Sequence, residues 1–122
     1  MVIGWGTVLY GAALTLVLVP LGALALRERS LPVIATCALT AACAAIAWNA
    51  VLIDADAGGF FVDAPIAVIP VSWQDTGTGI WTLALVSLIL GLTVGRSRRA
   101  ADVTWLAAAS ALIAFLVDVY LY

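Results

Sequence analysis

An all-α integral membrane protein of four transmembrane helices, paired as two antiparallel hairpins, is the fold this sequence predicts. Of 122 residues, 66% are hydrophobic and only 10% charged, against about 25% charged in a typical soluble domain. Four apolar runs each reach roughly the ~20 residues a spanning helix needs. All five arginines fall in two of the short segments between those runs. A transmembrane barrel would require repeated alternating segments of about ten residues, and these runs do not alternate.

The first run, residues 2–26, carries no charge. It is long and lacks a basic leading region, so it reads as a retained helix rather than a cleaved signal. Pro20 predicts a kink, because its ring removes the bond to the Leu16 carbonyl. Arg27-Glu28-Arg29-Ser30 is then a tight turn. Ser30 is placed to cap the second helix, and Pro32 sits in its first turn, where a missing N–H costs little.

The second run, 31–53, contains ATCALTAACAAIA, small on nearly every face. Helices in lipid associate through close packing of small residues, so this is the expected central helix, with Ala38, Ala42 and Ala45 as packing positions. Cys37 and Cys43 are six residues apart and face different directions on a helix, which argues against an intrahelical disulfide.

Residues 54–75 form a long apolar loop with Phe60, Phe61, Ile66, Val68 and Ile69. Pro65 and Pro70 oppose a regular helix between them. An interfacial or re-entrant cover is expected, acting as a lid on the bundle, a docking surface or a pore entrance. The third run, 76–95, opens with Asp75 or Thr76 as cap. Gly77 and Gly79 each cost roughly 1 kcal/mol relative to Ala in a helix, so they predict close approach of another segment, the alternative being an anion-accepting nest at the helix start. Gly91 and Gly95 form a GxxxG packing pair. Arg96-Ser97-Arg98-Arg99 is the second tight turn. The fourth run, 100–121, has Asp102 in its first turn, where a carboxylate suits the positive helix end.

The arginines set the topology. Arg27, Arg29, Arg96, Arg98 and Arg99 lie in the two short turns, so the positive-inside rule puts those turns on the cytoplasmic side, with both termini and the 54–75 loop outside. Trp5, Trp48, Trp73, Trp81, Tyr120 and Tyr122 gather toward the outer boundary and Trp105 toward the inner, as an aromatic belt does. Asp outnumbers Glu six to one and Arg replaces Lys entirely. That bias resembles proteins of halophilic archaea and of other GC-rich genomes, and it names no family.

The chemical inventory is thin. There is no His, which removes the commonest general base and a common metal ligand. A net charge of −2 without a basic face excludes nucleic acid as an expected partner. Asp75-Thr76-Gly77 resembles the Asp-Thr-Gly loop of aspartic proteases, but that chemistry needs two such loops sharing a proton, and the chain holds one. Small multidrug transporters carry a Glu in their first helix, and fluoride channels an Asn-rich second helix; neither feature is present. The remaining polar candidates are Asn49, Asp75 and Asp118, an outer cluster that would lie shallow in the membrane. No catalytic residue, cofactor or metal site is expected. The reading is a non-enzymatic structural or accessory subunit of a larger membrane assembly, whether a membrane complex, a homo-oligomer or a virion membrane, partnered by the bilayer and by other membrane subunits or copies of itself. The alternative is a small oligomeric channel or transporter with an acidic outer mouth.

Overall fold

The computed structural model describes residues 4–63 and 71–121. Among these, α1 spans Trp5–Ala25, α2 Leu31–Asp54, α3 Trp73–Leu92 and α4 Ala100–Tyr120, with a short 3-10 turn at Gly58–Phe61. Each of the four helices is long and apolar enough to cross a membrane, with mean hydropathy between 1.4 and 2.1. The protein is a polytopic integral membrane protein built as a four-helix bundle. Pro65, Ile66, Val68, Ile69, Pro70 and Tyr122, part of the sequence argument, lie outside the described residues.

The helices form a ring. α1 lies against α2 and α4, and α3 lies against the same two. Among the described residues the α1 and α3 backbones do not approach each other closely, whereas those of α2 and α4 meet across the short diagonal. The side chains of α2 explain that diagonal. Ala38, Ala41, Ala42, Ala44 and Ala45 are all buried, and a stripe with nothing larger than a methyl group lets neighbouring backbones come close. α2 is accordingly the most enclosed of the four helices. The others bury narrow stripes at helical spacing: Val8, Ala12, Thr15, Val19 and Ala23 on α1, and Gln74, Thr78, Thr82, Val86 and Leu90 on α3. Their outward faces carry exposed Leu9, Val17, Leu21, Ile80, Leu88 and Leu112, surface suited to lipid.

The interior is divided along its length. The apolar core cluster joins Val19, Ala23, Val33, Cys37, Ala38, Ala41, Val86, Leu90, Leu106 and Ala107, all in the half of the bundle nearest the arginine turns. The opposite half buries Asn49, Gln74, Asp75, Thr78, Thr82 and Asp118.

Helix ends differ from expectation in instructive ways. α3 begins at Trp73, three residues before the predicted 76, because the cap is Ser72 rather than Asp75 or Thr76. The Ser72 hydroxyl accepts from the Asp75 N–H at 3.2 Å, and the Asp75 carboxylate accepts from the Ser72 N–H at 2.9 Å. This is a reciprocal capping box, which satisfies two otherwise orphaned donors. α3 also ends at Leu92, not 95. Gly95 is therefore not on the helix, and Gly91 and Gly95 do not make a helix-packing GxxxG. The Gly95 N–H instead closes onto the Leu90 carbonyl at 2.8 Å, and a Cβ there would sit 2.6 Å from that oxygen. Ser30 holds the cap position of α2 without a side-chain cap bond. The Glu28 carboxylate instead braces the turn just before the helix, accepting from the Ser30 N–H at 2.9 Å and the Arg29 N–H at 3.2 Å.

α1 runs through Pro20 as one helix and closes with a Schellman motif. The Glu28 N–H reaches the Ala23 carbonyl at 3.0 Å and the Arg27 N–H the Leu24 carbonyl at 2.9 Å. The left-handed position that glycine usually holds in this motif is occupied by Arg27, with φ 64°. α2 ends in the same way, with Asp56 at φ 52° and the Ala57 N–H on the Leu52 carbonyl at 2.9 Å.

Candidate functional site

The polar residues of the acidic half converge on Gln74. It lies one residue into α3, and the capping box fixes the rotation of that first turn so that Gln74 points inward and is only 4% exposed. Its side-chain amide approaches three acceptors: Asp118 Oδ2 on α4 at 2.8 Å, Asn49 Oδ1 on α2 at 3.1 Å and Thr78 Oγ1 on its own helix at 3.4 Å. An amide NH2 has two hydrogens. The two shorter contacts claim them, so Gln74 ties α2, α3 and α4 together at one point.

The partners are themselves held. The Asn49 amide donates to the Ala45 carbonyl at 2.8 Å, and the Thr78 hydroxyl donates to the Gln74 carbonyl at 3.2 Å. Asn49 and Thr78 are completely buried. One turn further along α3, Thr82 is also fully buried, and its hydroxyl finds no partner among the described residues. The predicted cluster of Asn49, Asp75 and Asp118 is thus only partly assembled. Asn49 and Asp118 come together through Gln74, whereas the Asp75 carboxylate is turned back to the Ser72 N–H. Among the described residues no group of three carboxylate, thiol or imidazole side chains gathers to hold a metal.

Trp48 packs beside this cluster and accounts for Gly77. Its indole Nε1 donates to the Gln74 carbonyl at 3.0 Å. Its ring meets Trp81 at a centroid distance of 5.6 Å and, edge-on, Phe60 of the 3-10 turn at 6.2 Å. A Cβ on Gly77 would meet Cε2, Cζ2 and Nε1 of the indole far inside van der Waals contact. Gly79 faces α4 instead, where a Cβ would stand 3.4 Å from Phe115 Cβ, an ordinary contact. Gly91 has similar room against Val103. Of the three packing alanines predicted on α2, Ala38 lies in the apolar core cluster, and Ala42 and Ala45 are buried further along the helix.

The other end of the bundle is basic. Glu28 is buried and receives the Arg98 guanidinium through two parallel bonds, Nη1 to Oε1 and Nη2 to Oε2, so an ion pair joins the α1–α2 turn to the α3–α4 turn. Arg98 beside it holds the Glu28 carboxyl below its ordinary value. Arg99 pairs with Asp102 at 3.2 Å. The Arg29 guanidinium donates to the Leu24 and Glu28 carbonyls. The side chains of Arg27 and Arg96 have no hydrogen-bond partner among the described residues.

Gln74, Thr78 and Thr82 escaped the sequence reading. Their spacing of four residues was the available signal; Thr78 and Thr82 lie within the predicted run, but Gln74 joins them only once the helix is started at Trp73. Compared with protein-family models, curated proteins and solved structures, the chain matches none of them.

Proposed function

We propose that this protein is a non-enzymatic structural or accessory subunit of a larger membrane assembly. In this reading its helices form two antiparallel hairpins, with the arginine turns cytoplasmic and the acidic end outside. The observation that carries the proposal is the Gln74 junction. Ionisable and amide groups within a membrane span suggest a functional pathway by default. Here the Asn49 and Asp118 side chains are instead engaged by one amide that clamps three helices, which suits a rigid building block. Much of each helix faces outward, and an apolar groove between α3 and α4, floored by Gly79 and Ala111 and flanked by Ile80 and Leu112, suits another subunit or a second copy of this chain. The test is its mass in mild detergent. Co-purification with membrane partners, or self-assembly above the monomer, is expected. A strictly monomeric, partner-free species would count against the proposal.

One observation favours a second reading, a small oligomeric channel or transporter. Gln74, Thr78 and Thr82 form a polar stripe running inward from an end that holds Asp54, Asp56, Asp63, Asp75 and Asp118 and no base. Reconstituted liposomes distinguish the two readings. Solute or ion flux above empty controls, lost in Asp118→Asn with assembly intact, supports transport. Lost assembly in that variant supports the structural role.

A further inference from the structure

The arginine end holds a feature that the subunit reading does not use. A groove of about 520 Å³ opens there, lined by Leu26, Arg27, Glu28, Arg98, Asp102, Trp105 and Leu106. Its acids are already neutralised, Glu28 by Arg98 and Asp102 by Arg99. Five arginines against these two acids leave three net positive charges at this end. Arg27 is the exposed cation of the groove and has no acidic partner among the described residues. Leu26, Leu106 and the largely exposed Trp105 give the same groove an apolar floor at the boundary of the apolar spans.

The backbone supplies an independent observation. Arg27 stands in the left-handed region at the position of a helix terminus that glycine fills without strain. A side chain there is unfavourable for closing the helix. Asp56 holds the matching position at the end of α2, so the geometry marks a helix end; what it adds here is that it fixes where the Arg27 side chain leaves the backbone, at the mouth of the groove.

We propose that this groove binds the phosphodiester of an anionic membrane lipid, with Arg27 as its cationic contact and Leu26, Trp105 and Leu106 as the bed for the adjoining acyl chain. Basic residues bordering a transmembrane helix attract anionic lipid, and a guanidinium recognises phosphate oxygens through paired hydrogen bonds. The apolar floor selects a lipid over a free anion.

The test uses the whole protein in dodecyl maltoside, titrated with dioleoyl phosphatidylglycerol, dioleoyl phosphatidylcholine or inorganic phosphate, with bound lipid counted by native mass spectrometry. Wild type is expected to retain phosphatidylglycerol over phosphatidylcholine, and inorganic phosphate is not expected to displace it. Arg27→Gly removes the cation while easing the backbone, so the variant folds, and it should lose about tenfold or more in phosphatidylglycerol retention. Arg96→Gln, a change outside the groove, should lose no more than about fivefold, the effect of one diffuse surface charge. Equal losses in the two variants would show a general electrostatic film rather than a site and overturn the proposal. So would a wild type without lipid preference, or full displacement by inorganic phosphate.

Discussion

Adding one methyl group to Gly77 should destabilise the bundle, whereas adding it to Gly79, two residues away, should not. Both changes gain helix propensity, about 1 kcal/mol for Gly→Ala, so that contribution cancels between them. At Gly77 the new Cβ would overlap the Trp48 indole. The ring cannot withdraw freely, because its Nε1 donates to the Gln74 carbonyl and it packs against the rings of Trp81 and Phe60. Overpacking of this kind costs about 1–3 kcal/mol, and losing the indole hydrogen bond adds about 1 kcal/mol. Gly77→Ala should therefore lie about 2–4 kcal/mol below Gly79→Ala, and about 1–3 kcal/mol below wild type once the propensity gain is counted. Gly79→Ala, meeting only Phe115 Cβ at 3.4 Å, should equal wild type or exceed it by up to about 1 kcal/mol. Reversible unfolding in mixed detergent–SDS micelles, followed by tryptophan fluorescence, measures both. A second arm combines Gly77→Ala with Trp48→Leu, where the penalty of the alanine should largely vanish. Equal stability of the two single variants, or no coupling to Trp48, would refute the packing argument.

Four further outcomes follow from the same geometry. Gln74→Leu removes the junction and leaves Asn49 and Asp118 without its amide; interhelical hydrogen bonds in membranes are worth about 0.6–1.7 kcal/mol each, so a loss of about 1–3 kcal/mol is expected in the same unfolding assay. Ser72→Ala should cost about 1 kcal/mol through the lost capping box, whereas Ser30→Ala should be nearly silent because the Ser30 side chain makes no cap bond; helix content during detergent unfolding separates the two. Thr82→Val replaces a buried hydroxyl with no partner among the described residues by a methyl group of similar shape, and should leave stability unchanged or raise it by about 1 kcal/mol. The Glu28–Arg98 pair should give the protein an acid-sensitive limb. The folded-state value of Glu28 lies below its ordinary 4.5, so its contribution is complete above about that pH and is lost as pH falls through the lower folded value. A pH series of unfolding midpoints should show this loss in wild type and a flatter acid limb in Glu28→Gln.

The four spans were legible because apolar length is a property of composition, and because a backbone in lipid has few alternatives to a helix. The small stripe of α2 was legible for a related reason: alanines placed all round a helix leave little doubt that neighbours come close. The start of α3 was misread because Gly77 and Gly79 drew the boundary toward themselves. The pattern Ser72-Trp73-Gln74-Asp75 held the answer, since a carboxylate three residues after a serine is what a capping box requires. The same boundary places Gln74 in the loop and so hides it. Gly95 was misread for the opposite reason: the apolar pattern runs past Leu92, and nothing before the glycine shows that the chain turns there. Asn49 and Asp118 were visible as polar residues within spans, but their common partner was not. A contact 44 residues away in the chain, as between Gln74 and Asp118, is decided by how helices rotate against one another, and local pattern does not encode that rotation.

The lengthwise division of the interior has a consequence for how uniquely the helices are seated. Small and rounded side chains such as Ala38, Ala41 and Val86 make nearly smooth contact surfaces. Neighbouring helices can shift along such surfaces by a fraction of a turn with little change in energy. Hydrogen bonds from one amide to oxygens on two other helices tolerate no such shift, since they weaken steeply with angle and distance. The apolar core cluster therefore supplies adhesion and the Gln74 junction supplies register within the spans, as a vernier does on a sliding scale. A variant without the junction should still collapse into a helical bundle, but one whose helices occupy several offsets instead of one.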